Sequence, residues 1–506
     1  MKKIITILFS GILSMGLPGC GDFLEEYSQT LSYVDELEDL DALLLGGGYL
    51  PTRSAVAPIN WIHYMDDDTE EIWVGAGTGK TVTEKIRGFH QWEKYPFWEE
   101  ISIGGNVSTD DYGGNTTWKE FYARLAVVNA TIEEVERFAG DQKTHAEYLR
   151  IKGSAYFLRG LYYFFLTNLW GAPYQAATAG SDLAVPVKTD SAIKPGGFTR
   201  NTVEEAYEQI ISDLKIAAEC LQPIEKDNKL YANAAAAELL LARVYLYQCN
   251  WTEARTWANK VIEKVSNVTF RMYDLNQASK STYQKEFRDA GWCEYIFCTG
   301  YSHTTMALVN VNFKISDSFY NNYAENDLRK SLWITDRKKN SVTWKAFYYL
   351  TTSAAFSPMS FKLPEAYLIE AEAAAMEDDW TSATAALRKI RENRIETGME
   401  DIAYESFTGQ ELIDFIRAER RRELAFSGHR WFDLRRYAVL PKYPLKTTIR
   451  HPYYSWGNDM AVLEGYHELG EWPQDGGWLL PMPTYALQNN AGLLVDNPRP
   501  ERQLVE

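Results

Sequence analysis

Apolar positions recur at helical spacing through much of this chain. Thr202-Val203-Glu204-Glu205 has the form of a capping box, in which a hydroxyl and a carboxylate satisfy each other's backbone amides. Ala206, Ile210, Leu214 and Ala217-Ala218 then fall on one helical face. The same period predicts helices over residues 234–248 and 251 to about 265, turning at Cys249-Asn250, and over residues 364–376 and 380–393. Pro364 suits a first helical position, where a missing N–H costs nothing. Two further pairs are predicted, residues 118–138 with 146–169, and 410–426 with 431–437.

The two middle pairs repeat at a constant offset of 129 residues. Leu239/Leu368, Ala242/Ala371, Trp251/Trp380, Thr252/Thr381, Ala254/Ala383, Lys260/Lys389 and Glu263/Glu392 are identical, and Val261 matches Ile390. Small alanines let paired helices approach closely. The pattern resembles the tetratricopeptide unit of about 34 residues, whose helix pairs bury their faces against one another. The predicted fold is therefore mostly α, a superhelix of about four helical hairpins with long irregular insertions. Those insertions are residues 46–115 and 270–350, rich in Gly, Asn, Thr and aromatics, with isolated strands such as Glu294-Tyr295-Ile296-Phe297. Long irregular stretches inside a folded chain are commonly functional. Residues 440–506, rich in Pro and Gly, are expected to be loop-dominated.

The amino terminus adds a compartment. Lys2 and Lys3 precede an apolar run over residues 4–17, too short to span a bilayer and of the length of a cleaved signal. Gly19-Cys20 resembles a bacterial lipobox, so residues 1–19 read as a lipoprotein signal peptide and Cys20 as the acylated residue. A single domain over residues 20–506 follows. More than one acyl chain on Cys20 would anchor it stably, and the acidic run Asp22-Phe23-Leu24-Glu25-Glu26 resembles the export signal of surface lipoproteins.

Charge removes one class of partner. With 52 Lys and Arg against 69 Asp and Glu, the formal charge is −17, opposite to what counterion release from nucleic acid needs. Cys220, Cys249, Cys293 and Cys298 form no CxxC pair, and four free, mostly buried thiols are expected. Gly75-Ala76-Gly77-Thr78-Gly79-Lys80-Thr81 is close to a phosphate-binding loop, but Val74 stands where the first glycine is required. A flexible hairpin with no long helix after it is expected there. Asp66-Asp67-Asp68 lacks the alternation and glycine of a calcium loop and reads as a solvated or capping acidic cluster. There is no HExxH and no GxSxG. No enzyme, cofactor or metal is expected.

The remaining candidate chemistry is aromatic, in a chain with 16 Trp, 32 Tyr and 22 Phe. Trp73, Trp92, Tyr95, Trp98 and Tyr112 lie in the first insertion, and Trp292, Tyr301, Tyr320, Trp333 and Trp344 in the second. Flat aromatic faces suit the C–H faces of sugar rings, with polar edges met by amides and guanidinium. Asn106, Asn115 and Arg87 could supply those edges.

Several stretches resemble the SusD/RagB family of surface nutrient-binding lipoproteins. They are Asp22-Phe23-Leu24, the run from Lys152 to Phe164 followed by Trp170-Gly171-Ala172-Pro173, and Glu419-Arg420-Arg421-Arg422-Glu423-Leu424-Ala425-Phe426 with Gly428-His429-Arg430-Trp431-Phe432-Asp433-Leu434-Arg435-Arg436. Leu480-Pro481-Met482-Pro483 and Asn497-Pro498 also fit. Arg420, Glu423, Arg430 and Asp433 are expected to knit two helices by charge-assisted bonds. Ser427 and Lys362 depart from the family's usual Glu and Arg. The resemblance implies a lipid-anchored, cell-surface protein of the outer membrane that binds glycan and acts as the lid of a SusC-like TonB-dependent transporter. Trp73, Trp92, Trp98 and Tyr301 are the favoured ligand contacts. Binding of peptide or another non-sugar nutrient, or a surface glycoside hydrolase, are the alternatives.

Overall fold

The computed structural model describes residues 34–50, 59–72, 80–96, 114–193, 196–222, 228–265, 270–286, 291–299, 301–302, 313–339, 341–347, 355–356, 360–399, 401–456 and 461–506. Among these, nine helices make the frame: α1 (Gly114–Val135), α2 (His145–Trp170), α3 (Val203–Leu221), α4 (Ala234–Tyr247), α5 (Trp251–Ile262), α6 (Leu363–Met376), α7 (Trp380–Arg391), α8 (Gly409–Glu423) and α9 (Arg430–Ala438). Each helix from α1 to α7 packs on the next, α5 meeting α6 across the second insertion, and α8 packs on α6. The mostly helical, hairpin-built frame expected from the apolar period is present.

The 129-residue offset is a repeat of structure as well as of sequence. Shifting α4 and α5 by 129 reproduces the bounds of α6 and α7. Cys249 and Asp378, one offset apart, both take the left-handed conformation, at φ 59° and 62°. The next residue caps in both hairpins: Asn250 accepts from the Glu253 amide and Asp379 from that of Ser382. The hairpins differ at Arg255, whose guanidinium clasps Glu370, Glu377 and Asp379 of the following pair. Its counterpart Thr384 bonds within its own helix instead. Between α2 and α3, glycine permits close approach, since a Cβ at Gly160 would sit 2.9 Å from Leu214. Arg159 then reaches Asp213 with two bonds of 2.7 and 2.8 Å.

Short antiparallel ribbons hold the insertions to the frame and to each other. β1 (Thr69–Glu71) of the first insertion pairs with β4 (Phe313–Ile315) of the second. β2 (Tyr295–Phe297) pairs with β8 (Phe361–Lys362), which leads directly into α6. β3 (Tyr301–Ser302) pairs with β7 (Ala355–Phe356), and β5 (Ile334–Lys339) with β6 (Val342–Phe347).

Two expectations need correction. A helix, Lys80–His90, does follow the glycine-rich segment, whose residues 75–79 lie outside the described ones. Gly88 lowers its propensity and hides the period, yet a Cβ there would meet the Pro96 carbonyl at 2.6 Å, so glycine is required by packing. The loop-rich ending contains a ribbon of β9 (Ile449–Trp456) and β10 (Ala461–Leu469), with a bulge between Leu463 and Gly465. Pro452 and Gly465 are strand-breaking residues that a two-stranded ribbon tolerates at its open edge and its bulge.

The arginine-rich signature also does more than join two helices. Arg420 meets Asp433 at 2.8 Å and links α8 to α9 as expected. Glu423 instead pairs at 2.7 Å with Arg329 of the second insertion and with Arg394 after α7. Arg430 pairs with Asp67 at 2.7 Å, and Arg421 with Asp68 at 2.7 Å. These arginines therefore fasten both insertions to the frame.

Acid should weaken this fold before carboxylates protonate. Burial holds the His63 imidazole down to about 3. Burial and, after it, a neighbouring positive or titrating ring hold His90 and His429 well below the ordinary range. The unfolded rings titrate near pH 6.5, so below that value the unfolded chain binds more protons and stability falls. The loss is roughly 1.5 kcal/mol per ring between pH 6.5 and 5. His451 and His467, lowered first by burial, add to the loss, while Asp66, Asp68, Asp213, Glu93 and Glu370, raised first by burial, oppose it. At His451 both ring nitrogens face carbonyl oxygens, of His90 at 2.5 Å and Asp66 at 3.0 Å. That geometry favours the doubly protonated ring against the burial that disfavours it. Urea midpoints measured across this range should fall steadily; a flat profile would mean that the three rings are solvated.

Candidate ligand-binding cleft

A cavity of about 500 Å³ opens where the first described segment, α2, the lead-in to α4 and the end of β2 converge. Its inner wall is Leu158, Leu161 and Tyr162 of α2, faced by Tyr49, Leu230 and Phe297. Leu45, 40% exposed, stands among its exposed lining residues. The walls are fixed by their own bonds. The Tyr162 hydroxyl donates to the Gly48 carbonyl at 2.5 Å, and the Tyr49 hydroxyl accepts from the Ala232 amide at 3.0 Å. Burial pushes the Tyr49 phenol up to about 12, so it stays protonated. The Cys298 amide donates to the Lys229 carbonyl at 2.7 Å, lacing β2 to the segment that carries Asn228 and Tyr231.

Three features give the cleft its chemistry. Tyr231, half-buried, meets Tyr49 edge-on with ring centroids 6.1 Å apart. Thr299 is 4% exposed, and its Oγ1 has no hydrogen-bond partner among the described residues. A buried hydroxyl left this way is costly unless something supplies the missing bond. Among the described residues no charged side chain lines the cavity, and these present aromatic and apolar faces with a few neutral polar groups.

The residues favoured from sequence are distributed differently. Trp92 is wholly buried: its Nε1 donates to the Met65 carbonyl at 2.9 Å and its ring stacks on His451 at 4.3 Å. It is a core residue, because an insertion without long helices must build its interior from large side chains. Trp73 and Trp98 lie outside the described residues, as do Cys20, Asn106, Tyr112 and the signal segment. Tyr301 opens β3, two residues beyond Thr299, opposite Phe356 in the ladder. Arg87 is not a free edge donor, since it grips Glu71 at 2.9 and 2.5 Å and the Tyr454 carbonyl. Trp292, Trp333 and Trp344 are buried, whereas Tyr95 is 70% exposed. Asp67 and Asp68 are ion-pair partners of Arg430 and Arg421, so the acidic cluster is neither solvated nor a helix cap. The four described cysteines are free; Cys220 and Cys298 are buried, Cys249 and Cys293 half-buried. Tyr49, Tyr231 and Thr299 were not singled out by pattern. Thr299 directly follows the predicted strand, and that adjacency was the available signal.

Comparison with known proteins fits this architecture. A SusD-like family model described as starch-binding and associating with the outer membrane matches residues 68–246, and the SusD family model matches residues 345–499. A SusD-like protein of Formosa agariphila is 24% identical, covering 98% of this chain and 100% of its own length. Among solved structures, a putative sugar-binding protein of Bacteroides vulgatus superposes with TM-score 0.70 at 22% identity, covering 92% of this chain and 99% of its own. The surface glycan-binding protein A of Bacteroides uniformis does so at 0.62 and 15% identity, over 91% and 99%. These likenesses establish the shared fold. Two family matches flanking the second insertion, and an alignment running from end to end, lead to one conclusion: the chain belongs to the SusD/RagB family.

Proposed function

We propose that this protein binds uncharged oligosaccharide in the Tyr49–Tyr231–Thr299 cleft without making or breaking bonds. The observation that carries the proposal is Thr299, a buried hydroxyl with no hydrogen-bond partner among the described residues, set beside an aromatic face in a cavity whose described lining is uncharged. Sugar rings match that combination, since their C–H faces pack on aromatic rings and their hydroxyls complete hydrogen bonds. The printed descriptions of the family model and of the B. vulgatus and B. uniformis neighbours speak of starch, sugar and glycan. In the fuller form of the proposal, Cys20 carries the lipid that anchors the chain at the outer-membrane surface. A SusC-like TonB-dependent transporter then receives the ligand beneath it. Tyr301, Trp73 and Trp98 are further proposed ligand contacts.

Affinity electrophoresis through neutral polysaccharides should identify a retarding glycan. Tyr231→Ala should then weaken binding about tenfold, about 1.4 kcal/mol, with little change in melting temperature. Thr299→Val should weaken it by a similar factor through the lost hydroxyl. Unchanged affinity in both variants would remove the cleft from consideration. The five leucines of the lining (Leu45, Leu50, Leu158, Leu161, Leu230) favour a second reading, an apolar peptide, which would be bound while every glycan is ignored.

A further inference from the structure

Trp92, rejected as a platform by its burial, has a consequence three residues later. Its left-handed backbone (φ 49°) turns the chain at the end of the Lys80–His90 helix, and its indole is pinned in the interior. The following residues are therefore carried outward, and Tyr95 emerges 70% exposed. The carboxyl-terminal tail clasps this turn from the other side. Arg502 donates to the Trp92 carbonyl at 3.0 Å and is itself held by Asp475 at 2.6 and 2.8 Å. Arg499 donates to the Glu93 carbonyl at 3.1 Å. An exposed aromatic ring is thus mounted on a turn bonded on both sides.

Beside it lies a second cavity, of about 350 Å³, lined by Glu93, Lys94, Tyr95, His467, Glu501 and Arg502. That size is in the range of small-molecule sites. Among the described residues the lining carries two carboxyl groups, Glu93 and Glu501, and two cationic groups, Lys94 and Arg502. Lys94 lies 5.5 Å from the Tyr95 ring centroid and 3.4 Å from the Glu501 carboxylate. His467 is only 8% exposed, and its Nδ1 has no hydrogen-bond partner among the described residues. Burial, then the charges of Arg502 and Arg87, keep that ring neutral, and burial raises the Glu93 carboxyl. An imidazole nitrogen and carboxyl oxygens are both able to exchange hydrogen bonds with hydroxyls.

We infer that this cavity is a second saccharide site, built from other segments than the cleft, with Tyr95 as its stacking face and Glu93, Lys94, Glu501 and His467 as hydroxyl partners. A balanced ring of charge around one exposed aromatic face recognises a neutral polyhydroxyl unit rather than an anion. The assignment stands on its own geometry and survives even if the cleft takes a peptide.

The test is fluorine NMR on the full chain carrying 3-fluorotyrosine, with the Tyr95 and Tyr231 signals identified through Tyr95→Phe and Tyr231→Phe. Glucose, galactose, mannose and xylose are each titrated to about 100 mM, which reaches millimolar sites. At least one should shift the Tyr95 signal to saturation, and the shift should persist in Tyr231→Ala. The exposed change Glu501→Ala should weaken that sugar at least threefold. Silence of the Tyr95 signal toward all four sugars overturns the site, even where Tyr231 responds and the cleft stands. A response that disappears in Tyr231→Ala overturns it too, because it would be relayed from the cleft.

Discussion

Replacing Glu423 by alanine should destabilise the protein by about 3–5 kcal/mol, the range for removing one partner from a buried ion pair. Arg329 is fully buried and Arg394 is 1% exposed at its side chain, and both meet Glu423 at 2.7 Å. Arg329 would keep Asp327 and Glu419, and Arg394 would keep Glu294. One negative charge would nonetheless be gone from a buried cluster of arginines. Because these arginines belong to the second insertion and to the segment after α7, the insertion should loosen first. Urea denaturation gives the magnitude, and hydrogen exchange at residues 323–334 gives the place. A loss below about 1 kcal/mol would show that water replaces the carboxylate without penalty.

Trp92→Ala should be of similar size, about 3–5 kcal/mol, as for large-to-small changes at full burial. The indole fills space beside His451 and supplies the Met65 carbonyl with its partner, so the variant leaves both a void and an unsatisfied acceptor. Trp92→Phe should restore much of the packing and none of the hydrogen bond. Glycan retention should follow folded fraction in Trp92→Ala, whereas Tyr231→Ala should lose retention while folded. A Trp92→Ala protein that melts normally yet binds nothing would return that residue to the ligand.

The frame was readable because helix packing writes a period into the chain. Alanines at 242 and 371, a tryptophan opening each second helix and the capping box at Thr202 are local consequences of helices lying against helices. The insertions obey no such period. Trp92, Trp98, Tyr95 and Trp292 look alike as letters, yet burial separates Trp92 and Trp292, both interior, from Tyr95, which faces solvent. Burial there is decided by partners hundreds of residues away, such as His451 and Arg502. Thr299 shows the same limit, since a threonine becomes informative only when its hydroxyl is found without a partner. The glycine at 88 hid a helix, and the proline at 452 hid a strand, because each was kept for a reason lying outside its own element.

Lys362 and Ser427 are the two positions where this chain departs from its family's usual arginine and glutamate, and they touch. The Lys362 Nζ donates to the Ser427 Oγ at 2.8 Å, and burial lowers the affinity of that amine for its proton. The contact is a buried amine–alcohol hydrogen bond rather than an ion pair. A change at residue 362 is therefore felt at residue 427, and the reverse, so the two side chains act as a single polar joint between the start of α6 and the turn ahead of α9.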